Sequence, residues 1–174
     1  MNDPFKLDQY IRTVADFPIP GIQFKDITPL LANGAAFRQV ITIFAERYAA
    51  LKLDAIIGVE ARGFIFSAPV AAALGIGLVP IRKPGKLPHT IISREYALEY
   101  GTNTLEMHHD ALPTGARVAL LDDLLATGGT VAAACELLEQ INVEIVETAF
   151  VLELGFLDGR KRLAPHPVFS LVQY

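Results

Sequence analysis

The chain has 174 residues, of which 52% are hydrophobic and 20% charged, and a formal net charge of −4 at pH 7. That size and composition describe one globular domain with a sizeable core. The acidic balance argues against bulk nucleic-acid binding, no uncharged apolar run is long enough to span a bilayer, and Met1-Asn2-Asp3-Pro4 lacks the basic and apolar regions of a signal peptide.

Leu7, Tyr10, Ile11 and Val14 predict a short amphipathic helix, stopped near Phe17-Pro18-Ile19-Pro20-Gly21. Residues 22–33 read as extended and then turned. A second helix is predicted from about Ala35 to Leu51, with Phe37, Val40, Ile41, Phe44 and Tyr48 at helical spacing. Asp54 to Val59 reads as a buried strand, Phe64 to Leu74 as an alanine-rich helix, and Gly77 to Ile81 as the next strand. A polar, basic loop spans about Arg82 to Arg94, followed by two strand-like pieces flanking Gly101.

From Val118 an apolar run of strand character reaches Asp122-Asp123. It then enters Thr127-Gly128-Gly129-Thr130 and continues into a helical pattern from Val131. Cys135 shares a helix face with Val131 and Leu138, so core packing is its expected role. A lone cysteine forms no internal disulfide and suits a reducing, cytoplasmic setting. Val143 to Leu154 reads as a long strand and Pro167 to Val172 as a short final one. Strands alternating with helices predict an α/β fold, a mainly parallel sheet covered on both faces, with its ligand at the carboxyl ends of the strands.

Three polar clusters stand at such ends: Glu60-Ala61-Arg62-Gly63, Arg82-Lys83-Pro84-Gly85-Lys86, and Asp122 to Thr130. Taken alone, Thr127 to Thr130 is equally a strand-to-helix turn with Thr130 as N-cap, and Arg62 and the lysines are solvated cations. The ending Gly-Lys-Ser/Thr of a nucleotide-triphosphate loop is missing. Together the clusters offer a glycine loop and helix N-terminus for one phosphate, paired carboxylates for sugar hydroxyls, and cations for a second anion such as pyrophosphate. The polar loop from Lys86 to Tyr100 has the character of a lid. A monophosphate, a ribose diol and a pyrophosphate together describe phosphoribosyl pyrophosphate.

Asp122 to Thr130 resembles the phosphoribosyl-pyrophosphate loop of the type I phosphoribosyltransferases. Phe17 to Leu31, Gly58 to Phe66, Arg82 to Pro88 and Leu98-Glu99-Tyr100-Gly101 resemble, in order, further segments of the adenine-using members of that family. The resemblance implies a single domain, 1–174, with a base-covering hood at about 1–33, an α/β core at about 34–174 and a mobile lid at about 83–100. It implies that Ala126, Thr127, Gly128, Gly129 and Thr130 hold the 5′-phosphate, with Asp122 and Asp123 on the ribose hydroxyls. Arg62, Lys83 and Lys86 would address pyrophosphate, and Gln23, Phe24 and Lys25 the adenine. Glu99, Tyr100 and Arg62 would be catalytic, with Glu99 assisting proton transfer at adenine N7.

The implied reaction makes AMP and pyrophosphate from adenine and phosphoribosyl pyrophosphate, with Mg²⁺ carried mainly by substrate oxygens and water rather than by a protein ligand cluster. A homodimer with neither nucleic-acid nor membrane partners is also implied. Two departures stand out: Lys25 where many relatives have arginine, and His89 where the lid is expected to have glycine. His89, His108 and His109 read as surface residues, and His166 has no evident partner in the sequence. Two other readings remain: a transferase of this fold for a 6-oxopurine or orotate, and a ligand-sensing regulator, which would need an added DNA-binding module.

Overall fold

The computed structural model describes residues 5–97 and 101–174. Its centre is a five-stranded, wholly parallel sheet in the order β4-β3-β7-β8-β9, built from β3 (Ala55–Val59), β4 (Gly77–Ile81), β7 (Arg117–Leu125), β8 (Glu144–Glu153) and β9 (Val168–Gln173). Alternation along these strands fills two cores. Ile56, Ala119, Leu121, Ala149 and Val151 face one, while Ile57, Val59, Val118, Leu120 and Phe150 face the other. Every β3 side chain is buried, as expected of a central parallel strand with both faces covered.

Helices α2 (Gly34–Tyr48) and α3 (Gly63–Leu74) cover the first face. The Asn33 side chain accepts from Ala35 N at 3.1 Å and Ala36 N at 3.0 Å, a cap worth ~1 kcal/mol. Ala36, Val40, Phe44 and Tyr48 then form a buried stripe with a four-residue step, and Phe37 and Ile41 flank it half-buried. On the second face lie α4 (Gly129–Gln140), with Cys135 buried among its core residues, and an antiparallel hairpin of β5 (Ile91–Ala97) and β6 (Thr102–His108).

The first predicted helix is absent. Asp8–Tyr10 makes a single 3-10 turn, and β1 (Arg12–Ala15) pairs antiparallel with β2 (Gln23–Asp26). Leu7 and Ile11 are buried as their spacing suggested, but Arg12, Thr13 and Val14 find β2 as partner, and that cross-strand pairing overrides the local period. The turn expected before residue 33 is the short helix α1 (Thr28–Ala32). Two other elements went unpredicted: a 3-10 turn at Gly155–Leu157 and α5 (Gly159–Leu163).

His89 has φ of 75°, in the left-handed region where glycine is favoured, so the expected glycine has a backbone reason. His166 does have a partner: its Nε2 lies 3.2 Å from Glu139 Oε1. Among the described residues no helix is long and apolar enough to cross a membrane.

Candidate functional site

After β3 the chain passes through α3 to β4 on one side and returns to β7 on the other. The β3/β7 boundary is therefore the point where strand order reverses, the place where open α/β sheets bind ligands. A cavity of about 430 Å³ opens there at the carboxyl ends of the strands. The residues from Asp122 through Val131 line it, together with Glu60, Ala61, Arg62 and Lys83, and with Tyr96, Asn103 and Leu105 from the hairpin.

The acidic pair belongs to the strand itself, since β7 runs on through Leu125. Asp123 is buried and forms an ion pair with Nε of Arg62, whose side chain remains more than half exposed. Asp122 Oδ1 accepts from Asp123 N at 2.9 Å. Burial pushes the Asp122 carboxyl well above the usual range, and the neighbouring Asp123 charge pushes it the same way. The first residue of α3 is Gly63 because Asp122 lies against it; a Cβ there would sit 2.9 Å from Asp122 Oδ1.

Beyond the strand, Ala126, Thr127 and Gly128 turn the chain into α4. The N-cap is Gly128, at φ 79°, and Thr130 stands inside the first turn. The first helical bond runs from Ala132 N to Gly128 O at 2.9 Å, so the amides of Gly129, Thr130 and Val131 have no partner within the helix and lie at the cavity wall. Such a terminus is an anion site by its N–H groups and its dipole. Across the opening, Tyr96 Oη lies 3.2 Å from Thr130 Oγ1, and Arg94 pairs with Glu136 of α4. These contacts dock β5 on α4.

The loop is also packed from behind, by α5. A Cβ on Gly128 would come 2.8 Å from Gly159 O, while one on Gly159 would collide with Ala126 O and lie 2.9 Å from Leu125 Cδ1. Arg160 fastens α5 to the sheet by donating to Glu153 from Nε at 2.6 Å and Nη2 at 2.7 Å. Ser170 Oγ donates to the same carboxylate at 2.6 Å. Neither α5 nor its close approach carried a signal in the hydrophobic period. The Asp158-Gly159 dipeptide, a turn mark, was the available clue.

The remaining expected site residues divide. Lys83 lines the cavity, whereas the Lys86 ammonium lies in an ion pair with Glu60. Gln23, Phe24 and Lys25 do not line it. The Phe24 ring packs edge-on to Phe17 at 5.1 Å, and Lys25 Nζ donates to Thr13 Oγ1 at 2.9 Å and lies 3.8 Å from the Tyr174 ring centroid. Glu99 and Tyr100 fall outside the described residues. Tyr96, Asn103 and Leu105 enter the wall without having been singled out, because hairpin pairing determines which of their faces turns inward. No group of three or more His, Cys, Asp or Glu side chains converges among the described residues.

The chain as a whole resembles known proteins. Residues 26–170 match the family model described as a phosphoribosyl transferase domain. An adenine phosphoribosyltransferase of Roseiflexus sp. strain RS-1 is 63% identical over 168 residues, covering 97% of this chain and 98% of the relative. The crystal structure of adenine phosphoribosyltransferase from Thermoanaerobacter pseudethanolicus superposes with a TM-score of 0.92 at 49% identity, covering 97% of this chain and 98% of the other. That of the Saccharomyces cerevisiae enzyme, complexed with adenine and an imino-altritol bisphosphate, gives 0.90 at 41% identity over 95% and 96%. The fold is thus the type I phosphoribosyltransferase fold, and the chain belongs to the adenine phosphoribosyltransferase family.

Proposed function

We propose that this cavity joins adenine to phosphoribosyl pyrophosphate, releasing AMP and pyrophosphate, as a purine salvage transferase. The observation that carries the reading is the convergence of the Ala126–Thr130 loop, Asp122, Asp123, Arg62 and Lys83 on one cavity. The bound adenine of the yeast relative supports the choice of base. In this reading the α4 N-terminus and Thr130 hold the 5′-phosphate, and Asp122 and Asp123 accept hydrogen bonds from the ribose hydroxyls. N9 of adenine attacks the anomeric carbon as the bond to pyrophosphate breaks. Arg62, Lys83 and Lys86 receive the charge that develops on the leaving oxygens. Glu99 takes the proton from N7, beside Tyr100, and Gln23, Phe24 and Lys25 close over the base. Much of the remaining acceleration comes from holding base and sugar in line.

Asp122 and Asp123 also suit Mg²⁺: they are hard oxygen donors at the cavity wall, and their burial favours a compensating cation. They would hold the ion through ribose hydroxyls and water. When bound, it would supply positive charge to the pyrophosphate oxygens. A homodimer in the cytoplasm completes the reading. The exposed Phe17, Ile19, Leu78 and Phe156 give it apolar surface that a subunit contact can cover.

Incubation with adenine and phosphoribosyl pyrophosphate is expected to yield AMP, and chelation of Mg²⁺ to abolish the yield. Preference for hypoxanthine or guanine in a panel of bases would overturn the assignment. A second expectation concerns the hairpin. Tyr96→Phe removes the hydroxyl that orients Thr130, so KM for phosphoribosyl pyrophosphate should rise about three- to tenfold with a smaller change in kcat, the worth of one hydrogen bond. Steady-state kinetics with each substrate varied in turn checks this, and an unchanged KM would remove Tyr96 from phosphate recognition.

A further inference from the structure

Among the described residues that line the cavity, Glu60 is the acidic side chain placed beside Arg62 and Lys83, and three groups from a single loop converge on it. Its carboxylate accepts from Lys83 N at 3.0 Å and Arg82 Nε at 3.2 Å, and it forms an ion pair with Lys86 Nζ. The Glu60 side chain is 8% exposed and lines the cavity beside Arg62 and Lys83. Arg82 Nη1 also donates to Lys86 O at 3.2 Å, and Gly85 N donates to Glu106 Oε2 at 2.9 Å, so the 82–86 loop is held between two carboxylates, of which Glu60 is the one that takes the Lys86 ammonium. The hydrogen bond from Lys86 and the backbone N–H of Lys83 hold its pKa down at about 2, so it stays ionised throughout the physiological range.

A permanently negative group here conflicts with simple anion binding. The proposed function places pyrophosphate beside Lys83 and Lys86, where the fixed charge of Glu60 repels it and already occupies the Lys86 ammonium.

We infer that Glu60 is a resident stand-in for pyrophosphate, a positioning residue that holds Lys86 and the 82–86 loop ready and competes with the product for that cation. The inference rests on the proposed function and deepens it. When pyrophosphate is present, Lys86 exchanges from carboxylate to phosphate oxygens. When pyrophosphate leaves, Glu60 recaptures the ammonium, so the cation is never left without a counter-charge. Binding of the anion is thereby made weaker than the cation count implies, and departure of the product faster. Uniformly tighter binding would slow release without aiding the chemical step.

The sign of a substitution separates this role from a merely structural one. Glu60→Gln keeps the shape and an acceptor for Lys83 N but removes the charge. It should tighten inhibition of AMP formation by inorganic pyrophosphate on the order of tenfold. The same variant should lower KM for phosphoribosyl pyrophosphate and reduce kcat as release slows. Glu60→Asp, which keeps the charge but withdraws it by one methylene, should shift the same constants in the same direction by less. A loosened loop would weaken pyrophosphate binding, so tightening has no structural explanation.

The measurement is the pyrophosphate inhibition constant in the presence of Mg²⁺ for the wild-type chain and both variants, with thermal midpoints alongside. Weaker or unchanged inhibition in a folded Glu60→Gln chain overturns the inference; if that variant does not fold, Glu60→Asp decides in the same way. A wild-type chain that makes no AMP counts against the proposed function instead. Wild-type AMP formation with unaltered inhibition in the variants counts against Glu60 alone.

Discussion

Asp122→Asn combined with Asp123→Asn is expected to lower kcat/KM for AMP formation by roughly 10²- to 10⁴-fold, the worth of two hydrogen bonds to charged acceptors. Asparagine preserves the acceptor that Asp122 Oδ1 offers to Asp123 N, so the loss reports the charge and not the turn. Stability should move the other way in the single variant Asp122→Asn. Burial and the Asp123 charge raise the folded pKa of Asp122 well above that of an ordinary aspartate. The unfolded chain therefore loses this proton first as pH rises, and the native state is progressively disfavoured from about the unfolded value up through the folded one. Above that window the destabilisation is complete; below it there is none. The thermal midpoint of Asp122→Asn should thus exceed that of the parent at neutral pH, with the gap closing on acidification. A midpoint lowered at pH 7 would show that the carboxylate stabilises the fold, and near-parent turnover in the double variant would remove the pair from the site.

Gly159→Ala should be nearly as damaging, although Gly159 does not line the cavity. The added methyl meets the carbonyl of Ala126 and the side chain of Leu125, so the backbone leading into the phosphate loop must shift. Overpacking of this kind costs ~1–3 kcal/mol of stability. A displacement near 1 Å in a positioning element costs about a hundredfold in rate. The predicted pattern is a raised KM for phosphoribosyl pyrophosphate with an unaltered response to adenine. Gly128→Ala meets the same wall from the other side and adds the strain of φ 79°, so the two changes together should be less than additive. Full additivity would mean that the glycines do not report one contact.

The core strands were legible because they are short, apolar and punctuated: Gly77 to Ile81 is a strand with the bounds its pattern gave, and Asp54 to Val59 differs by one residue. The carboxylate pair and the glycine loop were legible because their chemistry is dense along the chain. What failed was non-local. The four-residue spacing of Leu7 and Ile11 is shared by a helix and by a turn leading into a strand, and only β2, which begins at Gln23, decides between them. Tyr96 and Asn103 reach the cavity because β5 and β6 pair face to face, placing them opposite each other across the ladder. Arg160 and Glu153 hold α5 against a loop some thirty residues earlier, a relation without local periodicity.

The hairpin of β1 and β2 forms a sheet of its own, with no ladder to the five parallel strands. Its moorings are side chains: Ile11 and Ile27 in the core, and Lys25 against the C-terminal ring. The proposed base-reading residues Gln23, Phe24 and Lys25 all sit on this separate small sheet, while the proposed contacts to phosphate and ribose come from β7 and from the loops and helix starts at the carboxyl edge of the parallel sheet. On the proposed assignment, recognition of the acceptor base is thereby kept apart from recognition of the donor. Under that assignment, replacing residues 12–26 changes the base-reading surface while leaving the ladder pairing of the five parallel strands untouched.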